Sequence, residues 1–128
     1  MKHIIQTDNA PAPIGPYNQA VLVSETLYMS GQIAIDPKSG NMVQDSIEAE
    51  TEQVMKNIKA VLEEAEIDFI QVVKCTIFIT DMGQFGQVNA VYGKYFPKGA
   101  PARETVQVAA LPKGARVEIS CIAVKSGW

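Results

Sequence analysis

The sequence predicts an α+β domain in which two helices cover one face of a single mixed sheet. Strand-like and helix-like segments follow one another in the order ββαβαββ. The expected strands alternate apolar and polar residues, and the expected helices repeat apolar residues every three or four positions. With 128 residues, of which 47% are hydrophobic, the chain can form one core but not two ordinary domains. Residues 1–128 are therefore expected to form a single domain.

The first expected elements are an extended arm and a β-hairpin. Residues 8–18 contain three prolines, which favours an ordered extended arm over a helix. Ala20–Ser24 and Leu27–Ser30 are predicted strands, and Gln32–Ile35 is a candidate continuation of the second strand. A cluster of turn-forming residues at 36–41 predicts the turn that follows.

Each predicted helix begins with a capping signal. Asp45 and Glu48 fit a capping box, and Asp81 with Gln84 can cap the second helix. The apolar stripe of the first helix consists of Ile47, Thr51, Val54, Ile58, Val61, Leu62 and Ala65. That of the second consists of Phe85, Val88, Tyr92 and either Tyr95 or Phe96. Between and after the helices, strands are predicted at 72–80, 104–109 and 115–124.

The last predicted strand has apolar side chains on both faces. Its first face carries Val117, Ile119, Cys121 and Ala123, and its second carries Glu118, Ser120, Ile122 and Val124. Two helices can cover only one side of such a sheet, so the other side would expose apolar groups to water. We therefore expect the chain to self-associate through the uncovered face, because most soluble oligomers are homo-oligomers.

Composition limits which kinds of partner and which cellular compartment are expected for this chain. The formal net charge of −3 argues against a protein that binds nucleic acid through a basic face. No segment approaches the ~18 apolar residues of a membrane span, and the N-terminus lacks the apolar core of a secretory signal. Two cysteines, Cys75 and Cys121, do not make a disulfide framework. The expected location is cytoplasmic, with no membrane partner.

A single histidine removes much of the usual catalytic repertoire. His3 lies near the chain end, and there is no CxxC, HExxH, Walker-type loop or GxGxxG. Catalysis would have to come from carboxylates, arginine, hydroxyls, backbone groups and water.

Arg103 and Glu118 are the two charged candidates. Arg103 opens a strand after a proline and two alanines, where a guanidinium can hold a carboxylate through two parallel hydrogen bonds. An ordinary surface or interface ion pair is the alternative. Glu118 is the only acid in the final strand, and a partly buried carboxylate with a raised pKa is useful for proton transfer near neutrality. The alternative is a structural pair with Arg116 or Arg103.

Four further residues are weaker candidates. Tyr17 follows Pro16, and its hydroxyl could reach a cleft or its ring could simply cover the core. Ser30 and Gly31 end a strand run, where glycine permits close approach of a ligand but also marks a bulge or turn. Asn89 lies in the second helix and could supply an amide to a pocket or face solvent.

Taken together, five segments resemble the RidA family of reactive-intermediate deaminases. They are IGPYNQA, SGQIAIDPKSG, KCTIFITDM, VNAVYGKYF and PARETVQVAALPKGARVEIS, which occur in the family's order and spacing over nearly the whole chain. The resemblance implies a chorismate-mutase-like fold and a homotrimer with the three sheets at its centre. It also implies ligand sites in clefts between neighbouring subunits.

The implied activity is hydrolysis of 2-imino acids, or their enamine tautomers, to 2-oxo acids and ammonia. Such imines leave pyridoxal-phosphate dehydratases, and 2-iminobutanoate and 2-iminopropanoate are the typical family substrates. By the same resemblance, Arg103 binds the substrate carboxylate and Glu118 and Tyr17 are catalytic. Ser30, Gly31, Asn89 and Thr105 complete the implied substrate-binding set, and no metal or organic cofactor is required.

One position departs from part of the family. Thr105 stands where some members carry a cysteine, so modification of a thiol there is excluded. Two other functions stay open at this point: non-catalytic binding of a 2-oxo or other short carboxylic acid, and the ribonuclease or translation-inhibitor activity attributed to some relatives. The acidic balance and the lack of an aromatic-basic surface argue against RNA.

Overall fold

A computed structural model describes residues 1–125, which form one six-stranded sheet with two helices. The elements are β1 (Lys2–Ile5), β2 (Ala20–Val23), β3 (Thr26–Gln32), α1 (Ile47–Glu64), β4 (Val72–Ile79), α2 (Phe85–Gly93), β5 (Ala102–Gln107) and β6 (Val117–Val124). The strand order is β1-β2-β3-β6-β4-β5. Only β4 and β5 are parallel, because α2 crosses over between them. The predicted mixed sheet with two helices is thereby confirmed.

The sequence analysis missed the strand β1. This four-residue strand is almost wholly exposed and pairs antiparallel with β2, from Lys2 opposite Val23 to Ile5 opposite Ala20. It has no buried face whose alternation could signal a strand, because its hydrogen-bond ladder to β2 is what holds it. The arm that follows is neither helix nor strand, as predicted.

The capping residues of both helices differ from those predicted. Ser46, not Asp45, caps α1: its hydroxyl oxygen accepts from the Ala49 N–H at 3.0 Å. Asp81 accepts from the Gly83 N–H at 2.8 Å and so caps a short 3-10 turn at 82–84 that precedes α2. In both places adjacent residues could serve as caps, and the direction of the incoming chain selects between them.

The remaining boundaries move by a few residues. Gln32 belongs to β3, but Ile33–Ile35 leave the sheet, and Ile35 forms an isolated bridge to Met42 that closes the predicted turn. The strand expected at 104–109 begins at Ala102 and ends at Gln107, where its parallel pairing with β4 stops.

Helices α1 and α2 cover one face of the sheet. All seven residues of the predicted α1 stripe are buried. Along β6, Val117, Ile119, Cys121 and Ala123 are buried against the helices, while the residues between them are only partly covered. On the opposite, open face, Tyr28 and Val106 remain 48% and 42% exposed. The structure thus has the uncovered apolar sheet face that the sequence predicts.

Candidate functional site

Glu118 and Gly31 lie against each other where β3 and β6 pair irregularly. Two residues of β3, Ser30 and Gly31, stand opposite the single residue Ser120 of β6, which makes a β-bulge. A Cβ atom on residue 31 would lie 2.3 Å from Glu118 Oε2. Only glycine leaves room for the carboxylate at this place.

The Glu118 carboxylate is half-buried and has no charged partner. Among residues 1–125, no side chain forms a hydrogen bond or ion pair with it. Burial raises the pKa of this carboxyl above its ordinary value. The alternative pairing with Arg116 is wrong, because the Arg116 Nε donates to Glu50 Oε1 at 2.7 Å. Glu118 therefore combines access, partial desolvation and an uncommitted carboxylate.

The Pro-rich arm forms the wall opposite Glu118. Tyr17 is 50% exposed, and its hydroxyl accepts from the Ile14 N–H at 3.4 Å. Ser30 Oγ donates to the Asn18 carbonyl at 2.7 Å, so its proton is used to hold the arm and only its lone pairs face a ligand. Tyr17, Ser30, Gly31 and Glu118 line one cavity of about 470 Å³.

A buried glutamine fastens this arm. The Gln19 amide is 2% exposed; its Oε1 accepts from the Thr7 N–H at 2.7 Å, and its Nε2 donates to the carbonyls of Thr7, Ala10 and Pro11 at 3.0, 3.3 and 2.9 Å. These backbone groups have no sheet or helix partner, so the side chain substitutes for one. The sequence analysis did not single out Gln19, and no local pattern marks it.

Arg103 lies at a second cavity, at the β5 edge of the sheet. Its Nη1 donates to Asn89 Oδ1 at 2.7 Å, and the solvent-exposed Asn89 also lines this cavity. The guanidinium carbon is 5.0 Å from the Tyr92 ring centroid and 5.4 Å from that of Phe85. Among the residues described, none forms an ion pair with Arg103. The guanidinium is thus oriented by an amide and two rings while most of its donors remain free.

Two buried hydroxyls lie on the Arg103 side of β5 and α2. Thr105 Oγ1 and the Tyr92 hydroxyl are buried and, within residues 1–125, have no hydrogen-bond partner. Burial, with Cys75 as its polar neighbour, raises the pKa of Tyr92, so the phenol stays protonated. Burial likewise raises the pKa of the Cys75 thiol. Neither cysteine offers a thiolate nucleophile to this cavity.

The predicted site residues fall into two groups on opposite faces of the sheet. Glu118 is opposite Phe78 on the open face, whereas Arg103 is opposite Cys75 on the helix-covered face. Strand β4 separates them, and the two cavities share no residue. We name the groups the carboxylate half-site (Tyr17, Ser30, Gly31 and Glu118) and the arginine half-site (Asn89 and Arg103). No ligand of a few carbons can touch both half-sites of one chain.

Arg103 and Glu118 were predicted from the sequence, but several of the residues around them were not. Phe85 and Tyr92 were identified only as core residues, although they also face Arg103. Lys113 lines the cavity of the carboxylate half-site and had not been identified. The Pro-Lys-Gly sequence around Lys113 was a usable signal, since it marks a tight turn at the start of the strand that carries Glu118.

Two further properties of the described residues bear on function. Residues 1–125 hold no cluster of three or more His, Cys, Asp or Glu side chains arranged to bind a metal ion. None of the helices in this part of the chain is long and apolar enough to span a membrane.

Known proteins resemble this chain over nearly its whole length. The profile described as Endoribonuclease L-PSP matches residues 7–125. Protein DfrA of Myxococcus xanthus is 54% identical over 122 residues, covering 94% of this chain and 93% of that protein. The 2-iminobutanoate/2-iminopropanoate deaminase of Mus musculus is 49% identical over 125 residues, covering 98% and 93%. The crystal structure of YyfA, a Rid family protein of Yersinia pestis, shares 52% identity and a TM-score of 0.93, covering 97% of this chain and 99% of that one. This chain therefore belongs to the Rid family, as the resemblance of its motifs indicates.

Proposed function

We propose that this protein is a 2-iminobutanoate/2-iminopropanoate deaminase, which hydrolyses 2-imino acids to 2-oxo acids and ammonia. The observation that carries the proposal is a pair of charges that have no ionic partner among residues 1–125: the Arg103 guanidinium has no carboxylate partner there, and the half-buried Glu118 carboxylate has no cation. One fits the acid group of the substrate, and the other fits water activation at C2. Several relatives at 46–50% identity bear the name of this activity.

The reaction requires only proton transfer and correct placement. Arg103 binds the C1 carboxylate and so fixes the C=N carbon beside Glu118. Glu118 takes a proton from water as the water oxygen bonds to C2 and the C=N π electrons move to nitrogen, and it passes this proton to nitrogen, which gives a neutral carbinolamine. Glu118 then takes the proton of the C2 hydroxyl as the carbonyl forms and donates it to nitrogen as the C–N bond breaks, so ammonia leaves with the bonding electron pair. Water and imine are consumed, and ammonia and the 2-oxo acid are released.

The raised pKa of Glu118 suits both halves of this cycle. A carboxyl with an ordinary pKa is almost entirely ionised near neutrality and is a poor proton donor. Burial raises the pKa of Glu118 and so favours the protonated form relative to an ordinary carboxyl, which suits a group that accepts a proton from water and donates it to nitrogen. The proposal gives Tyr17 a hydrogen bond to the substrate or the attacking water, and gives the Gly31 backbone close contact with the substrate.

The remaining predicted residues support the arginine half-site. Asn89 orients the guanidinium through its 2.7 Å hydrogen bond. Thr105 lies two residues beyond Arg103 on the same face of β5, and its buried hydroxyl has no hydrogen-bond partner in the described part of the chain. The proposal assigns that hydroxyl to the substrate or to a water that accompanies it, because a buried donor without a partner is costly.

The proposal places each active site between two copies of the chain. Because the half-sites of one chain face opposite sides of its sheet, a neighbour's arginine half-site has to meet this chain's carboxylate half-site. A ring of three copies brings the open sheet faces together and covers residues such as Tyr28 and Val106. The homotrimer is the family's assembly and agrees with this geometry.

The direct experiment replaces Arg103. In an assay that generates 2-iminobutanoate with a threonine dehydratase and follows loss of the imine signal, Arg103→Ala should lose deamination and keep the wild-type assembly. Arg103→Lys should also be poor, since an ammonium cannot make two parallel hydrogen bonds. The matched control is Lys59→Gln, which removes an exposed cation from the outer face of α1. Near-normal turnover by Arg103→Ala contradicts the assignment.

Mixing inactive variants tests whether two copies share the site. Arg103→Ala and Glu118→Gln should each be inactive alone. After subunit exchange at equal amounts, about a quarter of the sites of a closed ring combine an intact arginine with an intact glutamate from neighbouring copies. Activity should then return to about a quarter of the wild-type value. If each site lies within one chain, mixing restores nothing.

The two alternative functions predict different outcomes. A carboxylate-binding protein would bind 2-oxobutanoate through Arg103 but show no turnover in the coupled assay. A ribonuclease would cleave RNA with a steep dependence on salt and would lose that activity in a site variant. The only histidine, His3, lies on the exposed strand β1 and lines neither half-site cavity, and the net charge is −3. These features favour the deaminase.

A cytoplasmic location is part of the proposal. Cys75 and Cys121 face each other on neighbouring strands and are both free and buried. Such thiols are typical of a reducing compartment.

A further inference from the structure

Lys113 provides a second cation beside the carboxylate half-site. Of the residues that line this cavity, only Glu118 and Lys113 are charged. Within residues 1–125, the Lys113 ammonium takes part in no ion pair and no hydrogen bond. Much of the remaining lining is apolar or consists of uncharged polar groups. Among residues 1–125, Lys113 is therefore the one cationic partner that lines the cavity for an anionic group that enters it.

The turn that carries Lys113 is held in an uncommon backbone conformation. Lys113 has φ 55° and ψ 29°, in the left-handed region that few residues other than glycine adopt. The Ala115 N–H donates to the Pro112 carbonyl at 3.0 Å, and Gln44 Nε2 donates to the Gly114 carbonyl at 3.0 Å. Because this conformation costs free energy, its surroundings have to impose it.

A buried carboxylate fixes the same turn from its other end. Glu50 is fully buried, and its two oxygens accept from the Arg116 backbone N–H and from Arg116 Nε, both at 2.7 Å. Arg116 Nη2 also donates to the Gln44 carbonyl at 3.2 Å. The Arg116 cation is consumed in this network, so it does not neutralise a ligand in the cavity. Lys113 is left as the free cation.

The completed site then holds two cations, Arg103 of a neighbouring copy and Lys113, whereas a substrate with one carboxylate needs only one of them. In the proposed function, Arg103 of a neighbouring copy binds the C1 carboxylate, and Glu118 acts at C2. We infer that the substrates of this site include 2-imino dicarboxylic acids, whose distal carboxylate binds Lys113. The inference rests on the proposed function and deepens it, since the reaction stays the same: water replaces the imine nitrogen at C2, and ammonia leaves.

Substrate preference in Lys113 variants tests the inference. 2-Iminoglutarate, made in place from glutamate by an amino-acid oxidase, is compared with 2-iminobutanoate made from threonine. Lys113→Gln should lower kcat/KM for 2-iminoglutarate about tenfold or more, as expected for loss of a hydrogen bond to a charged group, and leave that for 2-iminobutanoate nearly unchanged. Lys113→Arg should retain the preference, and Lys59→Gln, the exposed control, should change neither value.

Each other outcome has a definite meaning. If Lys113→Gln lowers kcat/KM for 2-iminoglutarate and for 2-iminobutanoate equally, Lys113 does not bind the distal carboxylate and the inference fails. It also fails if the wild-type protein turns over 2-iminobutanoate but not 2-iminoglutarate, or if Lys113→Gln changes neither. If the wild-type protein hydrolyses neither imine, the proposed function itself fails. Calorimetric titration with 2-oxoglutarate and 2-oxobutanoate gives an independent readout, because only the diacid should bind more weakly to Lys113→Gln.

Discussion

Replacing Gly31 with alanine tests whether the exact place of the Glu118 carboxylate limits the reaction. The added Cβ would lie 2.3 Å from Oε2 and 2.7 Å from Cδ of Glu118. To restore even a tight contact of 3.0 Å, Oε2 has to move by at least about 0.7 Å. A misplacement of about 1 Å at a reacting group costs about 10²-fold in rate. We therefore expect Gly31→Ala to lower kcat/KM for 2-iminobutanoate by about 10²-fold.

The fold should tolerate this substitution. The atoms nearest to the new Cβ belong to the flexible Glu118 side chain, and Gly31 does not have a left-handed backbone. The free energy of unfolding should change by less than about 1 kcal/mol, because alanine also restricts the unfolded chain. Gly86→Ala is the matched control: its Cβ meets nothing within 4 Å, so kcat/KM should stay at the wild-type value.

A double variant isolates the cause. If Gly31→Ala acts only by displacing the carboxylate, the double variant should keep the same small residual kcat/KM as Glu118→Gln, measured at high enzyme concentration. The coupled imine assay measures all four proteins, and urea unfolding measures their stability. Activity of Gly31→Ala within about twofold of wild type, while Glu118→Gln is inactive, would refute the reasoning.

Two further predictions concern the buried carboxyls. Burial raises the pKa of Glu118, so this group favours the folded state below its ordinary pKa of 4.5, and that contribution is lost as pH rises through the raised value. Urea unfolding should therefore show Glu118→Gln gaining stability relative to wild type as pH rises above the ordinary pKa of 4.5, and a difference that does not change with pH contradicts the burial argument. Arg116→Ala leaves the fully buried Glu50 without its cation and should cost about 3–5 kcal/mol of unfolding free energy. Adding Glu50→Gln should recover part of that loss, and a loss below about 1 kcal/mol for Arg116→Ala counts against a charged buried pair.

Local patterns of apolar residues were sufficient to predict the helices and the inner strands from the sequence. The spacing of Val54, Ile58 and Val61 predicts α1 because a helix that packs on a sheet must bury one face. The alternation at 72–80 predicts β4 for the corresponding reason. The strand β1 was not predicted because an exposed edge strand is specified by its pairing with β2 and not by its own side chains. The caps at Ser46 and Asp81 depended on how the chain enters each helix.

The sequence was sufficient to predict the chemical groups of the site, but not that these groups fall into two half-sites on opposite faces of the sheet. Residue type and motif identified Arg103 and Glu118, since few other groups in a chain with one histidine can bind an acid or move a proton. Their positions on opposite sheet faces depend on the register, which sets Arg103 opposite Cys75 and Glu118 opposite Phe78, and the strand order places β4 between their two strands. Long-range pairing sets that order, and no local pattern encodes it. The same holds for Lys113, because only the tertiary structure places it in the lining of the Glu118 cavity and pairs the neighbouring cation, Arg116, with Glu50.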